Sequence, residues 1–358
     1  MTDGQTQAWT ELLLGSQLGP YTPTEHIASG GFSMVFEAID NRTGAAVALK
    51  VLNPGAGPDP TLEFRREREL LAQLRKSSSV VTLLDSSTAQ ITLEASGVKV
   101  NLPVTYHVLE LASGCLEELV MERDKISLQE RFRLWRGVIK GVHQMHLKGI
   151  AHRDLKTSNC LLFVGSSRST TVPKVSDLGR SCHMGQPAMH QPADYLTGRG
   201  DFRFAPPEFL FLQGEDTPRA HKCADLYGLG SLLCEVVTGQ GITSLALGFG
   251  PEIVEDSIKL ARVNRRVDLS ALRSRYLPAY RLFEESIPGQ IRQPSLRLLK
   301  QLCDPVPEMR LPIIRSGKRQ VVEEDLAWLL RRADILLKTL KQSEMMATRA
   351  RATAGSKI

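Results

Sequence analysis

The chain has 358 residues, 42% of them hydrophobic and 23% charged, a composition that excludes a disordered or fibrous protein. Its 45 basic and 39 acidic residues leave a net charge of +6, an excess that suits small anionic ligands but is too small and dispersed to argue for nucleic-acid binding. The length allows one large domain or two lobes with cores of their own.

Residues 1–15 carry a short apolar cluster, Leu12-Leu13-Leu14, read as a packed extension. From Tyr21 to Phe36 glycines and branched residues alternate as in a strand. Asn41-Arg42-Thr43-Gly44 then makes a turn, and Ala46 to Leu52 is a second strand, which together predict an antiparallel hairpin. Leu62 to Leu74 has helical periodicity, with Leu70, Leu71 and Leu74 apolar among charges. Strands are expected near Val80 to Leu84 and Val104 to Leu111, with an elaborated hairpin between them. Up to Ala112 the chain therefore reads as a small sheet with one helix.

Beyond Ser113 the pattern turns helical. Ser127-Leu128-Gln129-Glu130 fits a capping box, in which the serine side chain bonds the amide three residues on and the glutamate reaches back. Phe132, Trp135, Val138, Ile139, Val142 and Met145 fall on one face of a helix that Gly149 ends. Cys223 to Gly239 is a second apolar helix. Residues 240–294 read as irregular, with mixed helical and loop signals. A final helix is expected from Val322 to Leu340, and Met345 to Ile358 as a basic, disordered tail.

No apolar run approaches the ~18 residues that span a bilayer, and the start of the chain lacks the pattern of a signal peptide. Cys115, Cys160, Cys182, Cys223, Cys234 and Cys303 form no CxxC pair and no zinc-like spacing. Free thiols in a reducing compartment, and so a cytoplasmic location, are the expectation.

Chemistry concentrates in His152-Arg153-Asp154-Leu155-Lys156-Thr157-Ser158-Asn159, followed by Ser176-Asp177-Leu178-Gly179. An acid, a lysine and an amide lie within six positions, and a second acid comes 23 residues after the first. Phosphoryl transfer from a nucleotide to a hydroxyl needs this inventory. One carboxylate orients the acceptor, a cation neutralises the moving phosphate, and an amide and a second carboxylate hold magnesium. Upstream, Ile27-Ala28-Ser29-Gly30-Gly31-Phe32-Ser33-Met34-Val35 puts a glycine pair at a hairpin tip, where backbone amides can approach phosphate oxygens; alone, such a pair is only a turn. Val47-Ala48-Leu49-Lys50 embeds a lysine in an apolar strand, which is costly unless the ammonium is paired or meets a ligand. Glu63, Glu67 and Glu69 are its rival partners by sequence alone.

Taken in order, these motifs resemble the eukaryotic-type serine/threonine protein kinase superfamily over about Tyr21 to Leu311. The resemblance implies an α+β, bilobal fold: a small antiparallel N-lobe sheet with one helix over 21–112, and a larger, mostly helical C-lobe over 113–340. An extension, 1–20, would precede it and a tail, 341–358, would follow. ATP and Mg²⁺ are the implied cofactors. Ile27, Gly30, Gly31, Val35 and Ala48 are assigned to nucleotide binding. Lys50 would bind the α- and β-phosphates and be held by Glu67, whose offset from Leu70, Leu71 and Leu74 matches the family's helix. The backbone of Glu110 and Ala112 would meet adenine beside Leu109, and Leu161 would pack under the ring. Asp154 would orient the acceptor hydroxyl and Lys156 neutralise the γ-phosphate, with Asn159 and Asp177 as metal ligands.

Three further matches complete the resemblance. Pro206-Pro207-Glu208 resembles the A-P-E motif, Asp225 the aspartate that anchors the catalytic loop, and Arg310 the arginine that pairs with Glu208. Lys156, two residues after Asp154, resembles the serine/threonine-specific version. The implied function is ATP-dependent transfer to serine or threonine hydroxyls of protein substrates, with autophosphorylation, and with 240–294 as a candidate docking region.

The chain also departs from the pattern. Ala28 and Ser33 replace glycines, Leu178 replaces the usual phenylalanine, and Asp201 stands where the family has a threonine. Asp201 could still pair with Lys156, though close to Asp154, where two carboxylates repel, or it could mimic a phosphorylated residue. In the family, the arginine at the position of Arg153 commonly pairs with a phosphate; Ser181, Tyr195 and Thr197 are the acceptors available. Ala28, Ser33 and Asp201 favour a rival reading, a pseudokinase scaffold that binds nucleotide and protein partners without turnover. Glu208 with Arg310 argues against a small-molecule kinase.

Overall fold

The computed structural model describes residues 3–95, 98–165, 171–186, 201–248, 255, 257–260, 263, 265–316 and 319–355. The chain divides into two units, Met1–Ser113 with Ser176–Arg180, and Gly114–Val175 with Ser181–Ile358.

In the first unit the elements are α1 (Asp3–Leu13), β1 (Tyr21–Ser29), β2 (Ser33–Asp40), β3 (Ala45–Leu52), α2 (Pro58–Gln73), β4 (Leu83–Ala95) and β5 (Val98–Leu109). The strands form one antiparallel sheet in the order β1-β2-β3-β5-β4. Alternation sets its faces: Met34, Phe36 and Ala38 are buried while Val35, Glu37 and Ile39 are half-buried. Met34, Phe36, Leu49, Val51, Tyr106 and Val108 make the core on one side, and Leu13 and Leu18 seal it. Residues 3–20 thus lay a helix and a turn against the apolar face of the sheet. The hairpin expected between residues 85 and 103 is the long β4–β5 pairing. α2 begins at Pro58, earlier than its apolar period, because proline fits the first helical turn, where the missing amide is no loss.

In the second unit β6 (Gly114–Cys115), α3 (Leu116–Met121) and α4 (Leu128–His146) lead into the short strands β7 (Ile150–Ala151), β8 (Cys160–Phe163), β9 (Val172–Val175) and β10 (Cys182–His183). Then come α5 (Pro207–Leu210), α6 (Pro218–Thr238), α7 (Ile242–Leu247), α8 (Leu277–Glu285), α9 (Gly289–Leu302), the hairpin β11 (Ile313–Ser316) and β12 (Arg319–Val322), and α10 (Ala327–Gly355). Ser127 Oγ accepts from Glu130 N at 3.1 Å, but the Glu130 carboxylate turns to Arg133, so only half of the capping box forms. α6 starts at Pro218 rather than Cys223, with Thr217 Oγ1 accepting from Ala220 N, and stops at Gly239, whose φ of +83° is the left-handed cap. It is buried nearly all round, and Trp135 Nε1 donates to Leu229 O at 2.8 Å to tie α4 against it.

Two expectations are corrected. Residues 240–294 are largely helical where described, and Tyr276, Phe283 and Ile291 are buried. Pro278 lies in the opening turn of α8 and Pro294 inside α9, so neither proline keeps the segment from being helical. The last helix neither starts at Val322, which belongs to β12, nor ends at Leu340; it continues to Gly355, through most of the expected tail.

Candidate active site

Strand register gathers the nucleotide-side candidates of the first unit. Val35 lies opposite Lys50, and Ala48 opposite Leu109. Directly paired residues share a sheet face, so these four side chains point the same way. Ile27 is exposed near the end of β1, and Gly30 N donates to Ser33 O at 2.8 Å to close the tip between β1 and β2. Nothing in the fold itself demands glycine at 31. Its φ is not left-handed, and a Cβ there would meet nothing within 4 Å. The open space over that backbone is what a phosphate approaching the amides would use.

Lys50 is the centre of this half. Its side chain is 12% exposed, and Nζ donates to Glu67 Oε1 at 2.9 Å and Oε2 at 2.7 Å and to Asp177 Oδ1 at 3.0 Å. Of the three rival glutamates, α2 turns Glu67 inward to the lysine. Burial would pull the ammonium pKa down, but the Asp177 and Glu67 carboxylates outweigh it and hold the group above its ordinary value. Glu67 Oε1 also accepts from Leu178 N at 3.2 Å, and Leu178 is fully buried. Asp177 sits at φ +57°, a left-handed conformation rare outside glycine, with about half its side chain exposed. At the end of β5, Glu110 N donates to Thr82 O and its carboxylate accepts from Thr82 N at 2.7 Å. The amide is thus engaged, and the carbonyl is the group through which Glu110 would meet a purine. Ala112 follows, half-buried.

The second unit holds the loop between β7 and β8. Asp225, near the middle of α6, anchors it: Oδ2 accepts from His152 N at 2.9 Å and Oδ1 from Arg153 N at 2.7 Å, with Arg153 at φ +68°. His146 Nε2 lies 2.7 Å from the same carboxylate. Burial would raise the Asp225 pKa, but His146 and the loop amides hold it below its ordinary value. α6 approaches the loop so closely that a Cβ on Gly228 would lie 2.8 Å from that of Leu155. The loop then brings three candidates together. Asn159 Nδ2 donates to Asp154 O at 2.9 Å, and Lys156 Nζ lies 3.3 Å from Asp154 Oδ2. With the amide nitrogen turned to Asp154, the carbonyl oxygen is the atom Asn159 would offer a metal. Leu161 pairs with Cys115 across β8 and β6, half-buried.

Asp201 does not take Lys156 as its main partner. It closes on Arg203, with Nε to Oδ1 at 3.0 Å and Nη2 to Oδ2 at 2.6 Å, and Arg203 also reaches Glu117 at 3.3 Å. Burial would raise the Asp201 pKa, but the hydrogen bonds from Arg203 hold it below its ordinary value, so the carboxylate stays charged and compensated. Ser181 is buried and donates to His152 O at 3.3 Å, which removes it as an accessible phosphate acceptor; Tyr195 and Thr197 lie outside the described residues. His146 meets Asp225 across 79 positions, a pairing that no sequence signal marks.

A magnesium site of this family type asks little of the protein, because water and phosphate oxygens complete it. The first unit offers one hard donor of the kind required, the half-exposed Asp177 carboxylate, and the second unit separately offers another, the Asn159 carbonyl oxygen. Among the described residues, no group of three His, Cys, Asp or Glu side chains could form a metal cage by itself.

The family profile described as protein kinase domain matches residues 21–321. A probable serine/threonine-protein kinase of Streptomyces coelicolor is 30% identical over 227 residues, 62% of this chain and 30% of that protein. The serine/threonine-protein kinase PknA of Mycobacterium tuberculosis is 28% identical over 225 residues, 62% and 47% of the two chains. A probable myosin light chain kinase of Dictyostelium discoideum is 28% identical over 247 residues, 67% and 70%. The chain spans less than half the length of the Streptomyces and Mycobacterium proteins.

Proposed function

This chain belongs to the protein kinase domain family, and on that footing we propose that it transfers the γ-phosphoryl group of ATP to serine or threonine hydroxyls of proteins, its own chain included. The observation that carries the reading is Lys50, with little of its side chain exposed and paired with both Glu67 and Asp177. A cation so placed has the charge and the neighbours to meet phosphate oxygens.

Each residue then has a task. Lys50 and the backbone at Gly30 and Gly31 orient the phosphates, Val35, Ala48 and Leu161 contact the base, and Glu110 and Ala112 fix its edge. Asp177 and Asn159 would hold Mg²⁺, which supplies charge neutralisation at the phosphates. Asp154 orients the acceptor hydroxyl and receives its proton. The new oxygen–phosphorus bond forms as the bond to the β-phosphate oxygen breaks, releasing ADP. Lys156 offsets the charge on the moving group. The lysine at that position, and relatives named as serine/threonine kinases, support that hydroxyl specificity.

The rival scaffold reading loses part of its support, because Arg203 compensates the Asp201 carboxylate. Six free cysteines, five of them buried, favour a reducing, cytoplasmic setting. Among the described residues no helix is long and apolar enough to cross a membrane.

The test is mass spectrometry of the purified protein after incubation with ATP and Mg²⁺ and a generic serine/threonine substrate, beside Asp154→Asn. Phosphate on serine or threonine in the wild type alone supports transfer. No phosphate on either, with a nucleotide-induced thermal shift in both, supports the scaffold.

A further inference from the structure

Lys50 has a neighbour with no assigned role. His107, on β5, pairs directly with Lys50 across the sheet and is 1% exposed. Its ring stacks on Phe64 of α2, with centroids 3.8 Å apart and planes 16° from parallel. Nε2 lies 2.9 Å from the Phe64 carbonyl oxygen, and Nδ1 2.9 Å from Ser86 Oγ on β4. A carbonyl can only accept, so Nε2 carries the proton and, in the neutral ring, Nδ1 accepts from the Ser86 hydroxyl. Burial holds the imidazole below its ordinary pKa, against the pull of Glu67 and with the help of Lys50.

Phe64 precedes Glu67 by about one helical turn. Two adjacent strands therefore grip successive turns of α2, β3 through Lys50 to Glu67 and β5 through His107 to Phe64. The grips differ in kind. A lysine has a long flexible stem and holds its partner with little directional constraint. A stacked ring whose nitrogen bonds a helix carbonyl fixes the height and rotation of the helix. The seam continues through Ser86 N to Asp85 Oδ1 at 2.8 Å, and Tyr21 Oη to Asp85 Oδ2 at 2.9 Å. The helix is thereby referred to the far edge of the sheet.

We propose that His107 is a positioning residue, which holds α2 at the rotation where Glu67 meets Lys50. The kinetic consequence rests on the kinase reading above, but the effect on the helix does not, and the two are measured separately.

The experiment compares the full chain with His107→Leu, which keeps bulk but loses both hydrogen bonds, and with His107→Gln, whose amide can still donate to Phe64 O. Hydrogen–deuterium exchange is followed across residues 58–73 and, as an internal reference, across β2. Exchange in α2 should rise about tenfold in His107→Leu, with β2 unchanged, and return most of the way in His107→Gln. Phosphate transfer should fall in parallel, in kcat more than in KM for the acceptor, with the same rescue. Ser86→Ala, which leaves the ring in place, should give a smaller change of the same sign and serves if His107→Leu does not fold. Unchanged exchange in α2, or an equal rise in α2 and β2 that His107→Gln does not rescue, overturns the proposal. A wild-type chain that transfers no phosphate overturns the kinase reading and leaves the exchange result to decide the role of His107.

Discussion

Arg310 and Glu208 meet as a two-pronged ion pair, Nη1 to Oε1 at 2.6 Å and Nη2 to Oε2 at 2.7 Å, with both side chains shut off from water. Arg310 also donates to Asp304 O and Cys223 O and lies over the Tyr227 ring, so the pair fastens the start of α5 to α6 and to the turn after α9. Burial alone would lower the guanidinium pKa, but Glu208 holds it above its ordinary value. Arg310→Met strands the Glu208 carboxylate in the interior and should cost about 3–5 kcal/mol in urea unfolding. Combining it with Glu208→Leu should recover a large part of that loss. Additive losses in the double variant would show that the pair is not the unit being broken.

Removing the cation at Lys50 has a different signature. Lys50→Met leaves Glu67 and Asp177 facing one another without a counter-charge. The nucleotide-induced thermal shift should disappear, and phosphate transfer should drop on the order of 10²-fold or more. Glu67→Gln keeps an acceptor for Lys50 and should retain measurable nucleotide binding. A full thermal shift in Lys50→Met would remove the lysine from the phosphate site.

Glu235 gives a pH dependence whose sign can be worked out. Burial pushes its pKa from an ordinary 4.5 to about 8, against the pull of Thr157 and Arg203 and with Glu117 and Asp201 adding. Its Oε2 has no hydrogen-bond partner among the described residues. Between those two values the folded chain holds a proton that the unfolded chain has released. This group therefore takes stability away as pH rises from about 4.5 to 8, by at most about 1.4 kcal/mol per pH unit. Glu235→Gln should be more stable than wild type at pH 8, with the difference shrinking toward pH 5. Parallel stability curves for the two proteins across that range would refute the assignment.

Gly228→Ala tests how α6 supports the loop. The new methyl would collide with Leu155, which lies between Asp154 and Lys156. Overpacking of this kind costs roughly 1–3 kcal/mol, and the loop is the part able to move. Transfer should therefore fall by more than the loss of stability explains. The check is activity measured well below the melting temperature of the variant.

By itself the sequence determined what depends on neighbours along the chain. Asp154, Lys156 and Asn159 lie within one short loop, so their spacing alone marked them as candidates. The apolar stripe of α4 likewise revealed which of its faces turns inward, because the helical period is local. Only the tertiary structure decided the partners. α2 could have offered Glu63, Glu67 or Glu69 to Lys50, and its packing on the sheet selected Glu67. Asp201 took Arg203 rather than Lys156, because a guanidinium two residues away matches a carboxylate with two hydrogen bonds. His146 reached Asp225, and His107 reached Phe64, over 79 and 43 positions. Separations of that size leave no period to read, since strand register and the packing of whole helices bring such groups together.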